Sequence, residues 1–352
     1  MSRTRIAVVR ALPGVGDLLC AVPGLAALRA AHPDADITLV GLPSAAWFVE
    51  DHPRLVDDLL PVVGVPGLPE VVPDAAEARR FHATAAARRF DLAVQVHGSG
   101  VTTNPLTTML GARLQVGAAR PDQWQPPGTV VPYPDDVHEI LRVLAVTTAA
   151  GAPSVGTDLD LPLAPASRAE ARRLLGGPRP ARAPYVCLHP GASRPANRWP
   201  PERFAAVADR LAGAGHRVVL TGSRAESPVT AAVASAMTAP VVDLAGRTSV
   251  VTLAAVFAGA RLVVSNDTGA AHVAAALHAP GVVVFHAGGD PARWAPLDRT
   301  RHRVVAPEPG AGDWPTVATV LAAVAARLTP PLAPDRSDAP GARPRPPLEL
   351  LR

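Results

Sequence analysis

From Arg5 to Phe285 one pattern recurs along the chain: a short apolar run rich in valine, a turn carrying glycine or aspartate, and an alanine-rich stretch of helical length. Uninterrupted apolar runs of this kind read as strands buried on both faces, as in a parallel sheet covered by helices. Parallel neighbours need crossovers, and helices supply them. In the first half, strands are predicted at 5–10, 36–41, 91–96 and 113–117, and helices at 17–31, 74–89 and 135–149, with an irregular proline-rich loop over 121–134. In the second half, strands are predicted to start at Tyr185, His216, Val241, Leu262 and Gly281, with helices between them and a last helix over 316–328. Proline and glycine crowd 151–184 around one short helix at 167–175, which places a domain boundary near Pro180. The expected class is α/β, and 352 residues of which 48% are hydrophobic suffice for two cores.

In open α/β sheets ligands bind beyond the carboxyl ends of the strands, where helix N-termini present unpaired N–H groups. Three turns of this chain carry chemistry there. Leu262-Val263-Val264-Ser265 is followed by Asn266-Asp267-Thr268-Gly269-Ala270-Ala271-His272. The Thr268-Gly269-Ala270 helix start suits a phosphate, and Asp267 and His272 can hold hydroxyls. A capped core helix is the plain alternative. After the first strand, Leu12-Pro13-Gly14-Val15-Gly16 leads into Asp17. A dinucleotide fingerprint is disfavoured, because Leu19 stands where the third glycine belongs and a carboxylate directly follows the second. A carboxylate held beside a crevice fits a general base, with an ordinary N-cap aspartate as the alternative. The third turn is Pro190-Gly191-Ala192-Ser193, then Arg198-Trp199-Pro200, where Ser193 can donate a hydroxyl and Arg198 can clamp a diphosphate. Glu226, beyond another strand end, is placed to accept from a ribose. His97 and Ser99 are candidates for an acceptor pocket, against a plain loop. His138, with Glu139 and Arg142, reads as structural.

In this order the segments resemble the heptosyltransferases, glycosyltransferase family 9. The resemblance rests on Gly16-Asp17 with Pro23 and Leu28-Arg29, on Pro190–Ser193 with Arg198-Trp199-Pro200, and on Asp243-Leu244-Ala245-Gly246-Arg247-Thr248-Ser249. It rests further on Asn266–Gly269 with His272, and on Asp290-Pro291 with Trp294 and Pro296, so that it runs from Arg5 to Leu328. It implies a GT-B architecture, two Rossmann-like domains facing a central cleft. The implied division is an acceptor domain over 1–165, a linker over 166–182, a donor domain over 183–312 and a helix over 313–329 packing back on the N-terminal domain; the Pro- and Arg-rich stretch over 330–352, without apolar periodicity, reads as a disordered tail. The implied reaction is an inverting, metal-independent transfer of a sugar from a nucleotide donor, usually ADP-heptose, to an acceptor hydroxyl, with no cofactor. The roles implied are Asp17 as catalytic base, and Ser193, Arg198, Glu226, Asp267, Thr268, Gly269, Ala270 and His272 as donor-binding residues. His97 and Ser99 fall on the acceptor side, and the adenine pocket falls near 241–249. Family members usually carry lysine where Arg198 stands. Rival readings are another GT-B nucleotide-sugar enzyme such as an epimerase, a nicotinamide dehydrogenase, and a non-catalytic nucleotide-sugar binding protein.

Composition narrows the partners. Lysine is absent, so all 34 basic residues are arginine, and against 30 acidic residues the net charge is only +4. No basic stripe interleaved with aromatics occurs, which argues against a nucleic-acid partner. Cys20 and Cys187 lack metal-ligand spacing and suit a reducing compartment. No signal segment or spanning apolar run is evident, so a cytoplasmic monomer is expected, drawn to the inner membrane only through a lipid-linked acceptor. A glycan or a small molecule is equally open as acceptor.

Overall fold

The computed structural model describes residues 3–176 and 184–328. The boundary expected near Pro180 and the tail over 330–352 lie outside the described residues. Six parallel strands form the first sheet: β1 (Arg5–Val9), β2 (Asp36–Gly41), β3 (Asp58–Pro61), β4 (Leu92–Gln95), β5 (Leu114–Ala119) and β6 (Thr129–Pro132). Their spatial order is β3-β2-β1-β4-β5-β6. The second sheet is also parallel: β7 (Tyr185–His189), β8 (Arg217–Leu220), β9 (Val241–Asp243), β10 (Val263–Asn266), β11 (Gly281–Val284) and β12 (His302–Val305). Its order is β12-β11-β10-β7-β8-β9.

The two orders reverse between β1 and β4 and between β7 and β10, so each sheet opens a crevice at that point. The chemistry-bearing turns after β1, β7 and β10 therefore all sit at switch points. The central strands are buried on both faces, as their unbroken apolar runs require: Ile6, Ala7, Val8 and Val9 are all at most 1% exposed.

The strands missed by sequence are short edge or near-edge pieces: β3, β6 and β12 have four residues each. β6 lies inside the stretch expected to be an irregular loop. Its half-exposed residues give no apolar run to read, and pairing with β5 alone orders it. The expected helix at 17–31 is two helices, Val15–Leu19 and Val22–Ala31, because Pro23 in the first turn of the second one restarts the ladder.

Two domain assignments change. The helix Pro165–Leu174, expected at 167–175 within the linker, packs on the helix Val250–Ala258 of the second domain. The last helix, Val317–Leu328, packs on β11, β12 and the helix Pro201–Gly213, not back on the N-terminal domain. Its buried stripe, Val320 and Val324, joins the core that holds Trp199 and Phe204, and the strand just before it, β12, delivers it there. Among the described residues no helix is long and apolar enough to cross a membrane. Cys20 and Cys187 are free and buried.

Candidate functional site

A cleft of about 760 Å³ opens between the carboxyl ends of the two sheets. Pro13, Gly14 and Asp17 border it from the first domain; Ser193, Arg198, Glu226, Asp267, Thr268, Gly269, Ala270 and His272 border it from the second. Asp17 and all eight residues expected on the donor side thus meet in one space.

Local folding explains how Asp17 reaches it. The helix Val15–Leu19 has Gly14 as N-cap with no side-chain cap bond, so Asp17 sits in the first turn and caps nothing. Its carboxylate folds over Gly14, where any Cβ would run into Oδ2. The side chain keeps 25% exposure toward the cleft. Burial pushes its carboxyl above the ordinary aspartate range, against the pull of the Arg10 guanidinium.

On the facing wall, the helix Gly269–Ala276 begins after Thr268, whose hydroxyl makes no capping bond, leaving the helix start and the hydroxyl both facing the cleft. This helix is pressed on Val15–Leu19. A Cβ at Gly16 would come within 2.5 Å of His272 Cδ2 and 3.3 Å of Gly269 Cα, so only glycine permits this approach of the two domains. His272 is buried at that contact with Nδ1 3.7 Å from Cys20 Sγ, and burial pushes it down to about 4, leaving the ring neutral. Burial and the neighbouring Asp290 charge push Asp267 up to about 7.

Asn266, fully buried at the end of β10, ties this wall together. Its Nδ2 donates to the Pro190 carbonyl at 2.8 Å and its Oδ1 accepts from the Trp199 amide at 3.1 Å. Arg198 is anchored by its Nε, which donates to the Ala192 carbonyl at 2.9 Å. Glu226 Oε2 accepts from the Ser223 amide at 2.7 Å and lies 3.8 Å from His189 Nε2. Burial opposes its charge, but His189 and the Ser223 hydrogen bonds hold it below the usual glutamate range. Thr248, Ser249, Val250 and Leu253 line the same end of the cleft; the first two belong to the segment 241–249 expected to hold a base, and residues 241–247 do not border it.

His97 and Ser99 stand apart from this set. Neither borders the cleft. His97 Nδ1 accepts from the Ala11 amide at 3.3 Å, and Ser99 Oγ accepts from Gln123 Nε2 at 3.3 Å, so both brace the loop after β4. His138 is the N-cap of the helix Glu139–Ala149, which begins four residues later than expected, and its Nε2 donates to the Ala295 carbonyl at 3.0 Å.

Of the charged residues behind Asp17, Glu139 and Arg142 read only as structural in the sequence, and Arg10 and Arg293 were not singled out. Arg10, fully buried, joins Glu139, with Arg142 and Arg293 on the other side of that carboxylate. The signal available was Arg10 itself, a guanidinium directly after four apolar strand residues.

The family model of glycosyltransferase family 9 (heptosyltransferase) matches residues 79–312, well over half of the chain. The chain is 30% identical over 161 residues to lipooligosaccharide heptosyltransferase 2 of Haemophilus influenzae, which is 44% of this chain and only 42% of that relative's length. It is 26% identical over 283 residues to lipopolysaccharide heptosyltransferase 3 of Escherichia coli, covering 77% of this chain and 81% of the relative. The solved ADP-heptose lipopolysaccharide heptosyltransferase II of E. coli superposes with a TM-score of 0.74 at 20% identity, over 92% of this chain and 98% of that one. The shared fold is GT-B.

Proposed function

This chain belongs to glycosyltransferase family 9, the heptosyltransferases, and from that premise we propose that it moves a heptose from ADP-heptose to an acceptor hydroxyl with inversion and without a metal. The observation that carries the reading is one cleft with the Asp17 carboxylate on one wall and the Thr268–Gly269 helix start with Arg198 on the other.

Asp17 takes the proton of the acceptor hydroxyl as its oxygen attacks the anomeric carbon. The bond from that carbon to the diphosphate breaks on the opposite face, which inverts the centre and releases ADP. Negative charge grows on the leaving diphosphate, and fixed donors held against it stabilise the transition state more than the ground state. The helix N-terminus, the Ser193 hydroxyl and the Arg198 guanidinium supply those donors, and they are the basis for the metal-independent reading. Glu226, with one oxygen engaged by Ser223, offers the other to the ribose. Adenine takes the end of the cleft lined by Thr248, Ser249, Val250 and Leu253. The first domain presents the acceptor.

The test is thermal stability against a panel of nucleoside diphosphates, followed by mass analysis of products from ADP-heptose. Selective stabilisation by ADP is expected, since a ligand at about 100 times its Kd adds roughly 2.7 kcal/mol to the folded state. Equal stabilisation by uridine and guanosine diphosphates rejects the donor assignment. Arg198→Ala is expected to weaken ADP binding by about 10- to 100-fold, the range for a charge-assisted hydrogen bond of about 1.5–3 kcal/mol. Titration calorimetry reads this directly, and an unaltered Kd removes Arg198 from the phosphate site.

Asp267 makes donor binding pH-dependent. Below about 7 its carboxyl is neutral and can donate to a sugar or phosphate oxygen. Above that value its negative charge opposes the diphosphate. Affinity for ADP-heptose, whose doubly esterified diphosphate does not titrate near neutrality, is expected to fall as pH rises through about 7. Asp267→Asn is expected to flatten the profile; calorimetry showing the same slope in the variant assigns the dependence elsewhere.

A further inference from the structure

Behind Asp17 runs a chain of buried charges that the reaction described above does not use. Arg10 donates Nε to the Asp17 carbonyl at 2.9 Å and Nη1 to Glu139 Oε1 at 2.9 Å. Its Nη2 stands 3.9 Å from Asp17 Oδ1 and is buried without a hydrogen-bond partner. Glu139 Oε2 accepts from Arg293 Nη2 of the second domain at 3.1 Å, and from Arg142 Nη1, on its own helix, at 3.4 Å. Arg293 also donates to the Tyr133 hydroxyl at 3.0 Å, and its guanidinium lies over the Trp294 ring at 4.8 Å. One buried carboxylate therefore touches the arginine that grips the base and an arginine that arrives with the donor domain.

We propose that Arg293 and Glu139, acting through Arg10, are positioning residues that hold the Asp17 carboxylate ready to accept a proton only while the two domains are docked; the kinetic part of this inference rests on the transferase reading. The reason is charge balance. With the domains docked, Arg10, Arg142 and Arg293 face Asp17 and Glu139, leaving one net positive charge beside the base. With Arg293 withdrawn, two guanidinia face two carboxylates, and the field favouring an ionised Asp17 weakens. The remaining groups near Asp17 shift both totals equally and leave the difference of one positive charge between the two states. Glu70 opposes ionisation of Asp17, while His97 and His272 are pushed down to about 4 by burial and stay neutral. Docking also buries Asp17, which disfavours its charge, so the arriving guanidinium offsets the cost of the same motion.

The test uses the full chain with carbon-13-labelled aspartate, Asp17 being assigned by the loss of its signal in Asp17→Asn. Carboxyl titration is followed in the wild type, Arg293→Met, Arg293→Lys and Glu139→Gln, with ADP-induced thermal stabilisation reporting that each variant is folded. Arg293 is 27% exposed at its side chain, so its replacement leaves the core intact. In Arg293→Met the Asp17 midpoint is expected to rise by at least about half a pH unit. The acid limb of kcat should move with it while KM for ADP-heptose changes less than about twofold, and Arg293→Lys should restore most of both. An Asp17 midpoint identical in wild type and Arg293→Met overturns the proposal, as does a KM effect without movement of the pH profile. If the midpoint moves but no sugar transfer is found in any variant or in the wild type, the charge relay stands and the transferase reading falls.

Discussion

Asp17→Asn is expected to lower turnover by about 10²–10⁴-fold, the usual contribution of a general base, while the Kd for ADP stays within about twofold. Asparagine has nearly the same shape, fits over Gly14 as the aspartate does, and removes no helix cap, because the helix Val15–Leu19 is capped at Gly14 without a side-chain bond. What it loses is the capacity to take a proton. Steady-state ADP release together with calorimetry separates the two quantities, and undiminished kcat disposes of Asp17 as the base. The wild-type pH profile carries a second signature. Burial holds the Asp17 carboxyl above the ordinary aspartate range despite Arg10, so activity is expected to rise with pH through a limb displaced upward from that range. Asp17→Glu keeps the proton acceptor but moves it, and a partial recovery of kcat would separate chemistry from position.

Trp199→Ala is expected to destabilise the second domain by about 3–5 kcal/mol, the range for emptying a buried aromatic site. Trp199 is fully buried, packs edge-to-face on Phe204 with centroids 5.1 Å apart, and donates Nε1 to the Pro315 carbonyl at 3.1 Å. Its amide is also the group that Asn266 Oδ1 accepts, so the ring fixes the backbone that immediately precedes it. Arg198 is that neighbour. Truncation is therefore expected to weaken ADP binding as well as lower the midpoint of chemical denaturation. Trp124→Ala is the control: that ring is 54% exposed, and a loss within about 0.5 kcal/mol is expected. Equal effects from the two substitutions would contradict the anchoring role of Trp199.

The pattern of apolar runs was enough to give the parallel α/β class and the turns that end β1, β7 and β10, because each is a local signal: burial on both faces, then a glycine, then a helix start. Asp17, Arg198 and the Asp267–Gly269 turn were legible for the same reason. The edge strands β3, β6 and β12 were not, since four residues are too few to carry a period and each strand is ordered by one neighbour. His97 and Ser99 look like cleft residues in sequence, as they too follow a strand, but their side chains turn to the Ala11 amide and to Gln123.

What the chain determined by itself was the set of strand-end turns, since a short-range sequence of apolar residues, glycine and cap fixes where backbone N–H groups and polar side chains are exposed. The partners of those turns were decided only by the tertiary structure. Arg10 and Glu139 are 129 positions apart, and Glu139 and Arg293 are 154 apart; Val320 and Val324 could have covered either domain. Electrostatic and apolar contacts at such separations depend on how two sheets dock, and no periodicity within one element encodes the face that another element will meet.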